Sequence, residues 1–154
     1  MSSKTTPLAV AAALVFNSSA WAGGISVHDA YARSSGATAT SGAAFMVIMN
    51  QGNTDDRLMG VRSDAAKKVQ VHTHQEDVDG VMKMLHLKTG ALVPAGGTHA
   101  LERGGDHIML MQLTRPLQHG NRISLTLLFK NAGEIAVVVP IDLERKPAKH
   151  KIKH

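Results

Sequence analysis

Apolar and polar residues alternate over short runs separated by turn signals. Lys68–Thr73 (KVQVHT) places Val69, Val71 and Thr73 on one face; Gln70, His72 and, one step on, His74 fall on the other. That period of two marks a half-buried strand. Ile25–Arg33, Ala43–Asn50, Arg57–Ser63, Val81–Leu87, His107–Leu113, Ile123–Phe129 and Ile135–Ile141 read as further strands. QGNTDD (51–56), DVDG (77–80), Gly104-Gly105, Pro116–Asn121 and Asn131–Gly133 carry the Gly, Asn, Asp and Pro of turns. SSGATATSG (34–42) reads as a small-residue connection, and Asp64–Lys67 as one helical turn. Lys88–Gly97, with Pro94 and Gly96-Gly97, reads as a short strand plus turn, and Thr98–Leu101 as a brief piece before Gly104-Gly105. About eight short strands spaced in this way predict an all-β sandwich or barrel.

The ends differ from this body. Lys4, the apolar run Pro7–Phe16 and the small-x-small triplet Ala20-Trp21-Ala22 make residues 1–22 a secretory signal peptide, with Gly23 as the first mature residue. The run is too short for a membrane span, which takes roughly twenty residues. Residues 23–143 form the expected single domain, and the basic stretch 144–154 (ERKPAKHKIKH) a flexible tail.

Composition narrows the chemistry. The formal charge of +5 is concentrated in that tail, without the aromatic residues that a nucleic-acid-binding stripe interleaves, so no nucleic acid is expected as a partner. Cysteine is absent, which excludes a disulfide scaffold, a thiolate zinc site and a blue-copper centre.

Against that background, seven potential metal donors fall between Val71 and Met111 at alternate positions: His72, His74, Met82, Met84, His107, Met109 and Met111. On strands, i and i+2 share a face, so each segment can aim two donors the same way. Thioether and imidazole without thiolate suit Cu(I) better than zinc, magnesium or calcium. Taken singly, HxH also fits solvated surface histidines, and MxM fits core packing. The three same-face sets together point to metal. His28, His86, His99 and His119 stand apart and read as surface or structural residues.

These residues resemble the periplasmic PCuAC family of copper chaperones, whose fold is cupredoxin-like. The family pattern is a His, a Met about twelve residues on, then His-x-Met about twenty-two residues later. Here His72, Met84 and His107-Ile108-Met109 follow it, with one additional residue placed in the turn around Lys88–Gly90. ISVHDAYAR, GAAFMVIMN, GVMKM, VPAGGT, GGDHIMLM and the final strand pair carry the likeness across residues 25–142. The resemblance implies a Greek-key sandwich or barrel and a periplasmic location. It further implies a Cu(I) site of His72, Met84, His107 and Met109. His74 stands where the family often has Met, which makes it an auxiliary candidate beside Met82 and Met111. It also implies delivery of copper to an acceptor, such as a cytochrome c oxidase subunit or another copper chaperone.

His150 and His154 in the tail are candidates for Cu(II), set against the reading of a solvated basic tail whose lysines repel cations. A copper buffer would use the same ligands as a donor. An enzyme is not expected: His72-Thr73-His74 lacks the further histidines and carboxylates of zinc hydrolases or dismutases.

Overall fold

A computed structural model describes residues 24–147. Ten strands form two antiparallel sheets, with no helix among the described residues. The first sheet runs in the order β1 (Ile25–Ser34), β2 (Ser41–Asn50), β8 (His107–Leu113), β4 (Ala66–Glu76) and β5 (Met82–His86). β7 (Thr98–Leu101) also pairs with β2. The second sheet runs β10 (Gly133–Pro140), β9 (Arg122–Phe129), β3 (Asp56–Arg62) and β6 (Ala91–Val93). Neighbours distant in sequence give the crossing connections expected of a Greek-key sandwich.

The alternation of side chains builds the core. Ala44, Met46, Ile48, Val71, Ile108 and Leu110 of the first sheet meet Leu58, Val61, Ile123, Leu125 and Leu127 of the second, all buried. With so few aromatics, this core depends on branched aliphatic residues, which pack well on pleated surfaces. Polar residues fix the loops. The buried carboxylate of Asp56 accepts hydrogen bonds from the amides of Asn131 and Ala132 at 2.9 Å each, holding the β9–β10 turn. The buried Asn50 amide donates to the carbonyls of Thr54 and Val93.

The all-β expectation is met, with ten strands in place of about eight. Ala91–Val93 and Thr98–Leu101 are paired strands, short because Pro94 and Gly96-Gly97 break the ladder between them. The expected helical turn at Asp64–Lys67 is absent. Asp64-Ala65 form a turn in which the Ser63 hydroxyl accepts from the Ala65 amide and donates to the Ser124 carbonyl, and β4 begins at Ala66. Pairing of Ala66 with Leu113 and of Lys68 with Met111 draws these residues into the sheet instead.

The C-terminal segment follows β10 back over the first sheet, with Ile141 bridging to Ala32. The flexible tail was expected from Glu144, yet Glu144 and Arg145 donate their amides to the Asp142 carboxylate. The Arg145 guanidinium sits 4.3 Å from the centre of the Tyr31 ring and 2.7 Å from Asp29. Asp29 occupies a bulge in β1 with φ of 51°, which re-aims its carboxylate toward this strap. Residues 1–22, expected to be a signal peptide, and the tail histidines His150 and His154 lie outside the described residues.

Candidate metal centre

Strand register decides which donors meet. Across β8, β4 and β5, His107 lies opposite His72, and His72 opposite His86. One step along, His74 lies opposite Met84; one step back, Met109 lies opposite Gln70. Because side chains alternate, all seven candidates project from the outer face of the first sheet while Val71, Ile108 and Leu110 enter the core.

Two tight turns complete the site. DVDG closes the β4–β5 hairpin, as its sequence predicts: Gly80 takes φ of 77°, and the Asp77 carboxylate accepts from the Asp79 and Val81 amides at 3.0 Å. The Lys83 ammonium lies 2.7 Å from the same carboxylate. The second turn, Glu102–Asp106, joins β7 to β8 as both run along β2, and Gly104 takes φ of 83°. This conformation favours glycine because a Cβ would clash with the backbone.

That turn orients two imidazoles. Nδ1 of His107 lies 3.0 Å from the carbonyl oxygen of Gly105, and Nδ1 of His74 lies 3.2 Å from the same oxygen. A carbonyl only accepts, so each ring carries its proton on Nδ1 and keeps the Nε2 lone pair for another partner. Metal-binding histidines are commonly fixed in this way through their second nitrogen. The two ring centres are 5.3 Å apart. His107 is 3% exposed and also packs 6.2 Å from Phe45. His74, Met84, His107 and Met109 line one open cavity of about 360 Å³.

The remaining candidates sit around this group. His72 does not line the cavity, although its ring packs edge-on against His107 at 6.0 Å. Its Nε2 is 3.1 Å from the Gln70 amide oxygen, and its buried Nδ1 has no partner. Burial, followed by the imidazoles of His107 and His86 and the ammonium of Lys68, holds the His72 pKa below the usual imidazole value. The neutral ring is the form that binds metal. Met82 is 56% exposed and lies opposite Glu76; Met111 lies opposite Lys68 and Ser41. Neither lines the cavity. Met84, at 46% exposed, lies on the edge strand β5 itself.

His86 was missed at the sequence level. It faces His72 with ring centres 6.2 Å apart, and the signal was its position two residues beyond Met84. His99 pairs with Asp106, and His119 accepts from the Leu143 amide, in line with structural roles. Among the described residues, no three His, Asp or Glu side chains cluster in a way that could hold a metal.

The family model described as "Putative lipoprotein LpqE-like" matches residues 25–141. The chain belongs to this LpqE-like family. A relative in Leifsonia xyli subsp. xyli, "Putative lipoprotein Lxx21020", is 38% identical over 120 residues, covering 78% of this chain and 70% of its own length. Solved structures share the fold of this LpqE-like chain. The copper-bound PCuAC domain from PmoF2 superposes with a TM-score of 0.67 at 22% identity, covering 81% of this chain and 97% of that domain. Apo-DR1885 from Deinococcus radiodurans gives 0.60 at 26% identity, covering 93% and 94% respectively. No helix among the described residues is long and apolar enough to cross a membrane.

Proposed function

We propose that this protein is an exported copper-binding protein that holds Cu(I) in the cavity between β4, β5 and β8 and passes it to an acceptor. One observation carries the reading: two imidazoles tied to a single carbonyl leave both Nε2 atoms free in a cavity that also holds two thioethers. The set is neutral and soft, and it contains neither thiolate nor carboxylate, which favours Cu(I) over zinc or hard cations. Support comes from the shared fold with a copper-bound PCuAC domain and with DR1885, which has a Cu(I) form. Export is supported by the N-terminal signal pattern and by the lipoprotein description of the family, and the periplasm is the compartment we assign.

The proposed ligands are Met84, His107 and Met109 with a second imidazole. His74 takes that place by geometry, since it lines the cavity with its Nε2 free. His72, given by the sequence spacing, is the alternative, favoured by its buried and unpartnered Nδ1. An unsatisfied buried nitrogen costs roughly 1–3 kcal/mol, which coordination would offset. Tail binding of Cu(II) by His150 and His154 is a separate proposal.

Neutral donors suit transfer. Met84, at the exposed edge, can be replaced by an incoming ligand while His107 still holds the ion. Cytochrome c oxidase, or a chaperone serving it, is the proposed destination. Competition titration of Cu(I) against a chelator tests the site in the native protein and in the His107→Ala and Met84→Ala variants. Weaker binding in both is expected; unchanged affinity in both refutes the assignment.

A further inference from the structure

The cavity that holds the metal donors also contains two arginines that the copper reading does not use. Arg33 lies on β1, in the strand row that continues through Ala43 to Met109, and Arg103 lies in the turn that carries Gly105. Both reach the same acceptor: Nη1 of Arg33 donates to the backbone carbonyl of Arg145 at 3.3 Å, and Nη1 of Arg103 at 3.4 Å. Two like charges thus converge on one neutral oxygen. Among the described residues, neither arginine has a carboxylate within 4 Å. The acidic groups beside the strap are engaged elsewhere, since Asp29 and Asp142 both pair with Arg145.

We propose that Arg33 and Arg103 form a carboxylate-binding subsite in this cavity, and that an anion bound there strengthens the binding of Cu(I) beside it. Each guanidinium presents five N–H donors in a planar fork that matches a carboxylate, and among the described residues the only hydrogen bond each makes is the long one to Arg145. Ser35 and Ser41 line the same cavity. Phe45 and Ala43 supply an apolar wall for the carbon end of such a ligand. A Cu(I) ion held by neutral donors adds a third positive charge, which an anion between metal and arginines would offset. The coupling is reciprocal: whatever the anion adds to copper affinity, copper adds to anion affinity. The second half of the proposal rests on the copper reading; the first half does not.

The carboxylate has two sources, a small chelator that arrives with copper or an acidic side chain of a docking protein. The experiment begins with the metal-free protein. Its amide NMR spectrum is followed at constant ionic strength as acetate, a terminally blocked Gly-Glu-Gly peptide or sulfate is added. Saturable shifts at Gly42 and Gly104 are expected with acetate and peptide, and weaker ones with sulfate. The tighter of the two carboxylates identifies the source. Arg33→Gln and Arg103→Gln are expected to weaken binding about tenfold each, the worth of a charge-assisted hydrogen bond. Arg33→Lys and Arg103→Lys, which keep the charge and lose the fork, serve as controls for folding. No saturable shift, an equal response to sulfate, or shifts that persist in the double Gln variant would overturn the subsite. The second arm repeats the Cu(I) competition with and without the tighter carboxylate. Higher affinity in the native protein, lost in the double Gln variant, is expected, and an unchanged affinity overturns the coupling. Should the protein not bind Cu(I) at all, the copper reading fails while the metal-free arm still decides the subsite.

Discussion

His74 and His107 donate their Nδ1 protons to one and the same acceptor, the carbonyl oxygen of Gly105, from strands adjacent in the sheet but more than thirty residues apart in the chain. The shared acceptor sets the tautomer of both rings before any metal arrives. A site prepared in this way needs little reorganisation to bind. Replacing Gly105 would leave the carbonyl in place, so the rings themselves are the better targets. His74→Ala and His107→Ala are each expected to weaken Cu(I) binding by roughly tenfold or more, given that even indirect partners of a metal cost 10–100-fold. His72→Ala should cost less. A titration in which His72→Ala is the most damaging of the three would move the second imidazole to His72.

The two methionines of β5 offer an internal comparison. Met84 lines the cavity and Met82, on the same face, does not. Met84→Leu should lower Cu(I) affinity by about tenfold, and Met82→Leu by less than about threefold. Both side chains are more than 40% exposed, so thermal unfolding of the metal-free protein should be nearly unchanged in either variant. Equal losses of affinity would show that the hairpin does not distinguish them.

Much of this arrangement was legible in the sequence, for definite physical reasons. The period of two in KVQVHT and HIMLMQL separates core residues from donors without reference to any other strand, and Asp-Gly at 79–80 announces the hairpin that sets their register. What remained hidden depends on long-range pairing. Whether His72 or His74 shares a cavity with His107 follows from the position of the Glu102–Asp106 turn, which no local pattern encodes. His86 looked isolated because its partner His72 lies across a strand pair. The Arg145 strap read as flexible tail because its partners, Tyr31 and Asp29, are more than a hundred residues away.

Tyr31 is the only tyrosine of the chain, and its titration reports on that strap. Burial raises its pKa above the usual value of about 10, with Arg103 and Arg145 opposing in part. The folded state therefore holds the phenolic proton more tightly than the unfolded state does. The resulting stability is complete below pH about 10 and is lost as pH rises through the folded-state pKa. Ultraviolet titration should show a single ionisation above that of free tyrosine, returning to the ordinary value in denaturant. An ordinary midpoint in the folded protein would mean that the phenol is solvated.

Asp77 behaves in the opposite sense. The hydrogen bond from Lys83, then those from the Val81 and Asp79 amides, hold its carboxyl below the ordinary carboxylate range. Its support of the hairpin is complete above the unfolded-state pKa and fades as pH falls through the lower folded-state value. Hydrogen exchange at the β5 amides should accelerate over that acid range, and Asp77→Ala should accelerate it at neutral pH. Exchange unaffected by the substitution would assign the hairpin's order to other contacts.

In the loop region, Asp56→Ala would remove the acceptor of the Arg57, Asn131 and Ala132 amides, all partly buried. A loss of roughly 1–3 kcal/mol is expected from denaturant unfolding, since water can reach these partly buried donors and relieve much of the penalty. Copper affinity should be retained, since the β9–β10 turn belongs to the other sheet.

X-ray absorption at the copper edge tests the site most directly. On the Cu(I)-loaded protein, the expected shell contains both nitrogen and sulfur scatterers, two of each, and the sulfur contribution should fall away in a Met84→Leu, Met109→Leu double variant. A shell of nitrogen and oxygen alone, or a sulfur signal that survives the double substitution, would contradict a Cu(I) site built from His74, Met84, His107 and Met109.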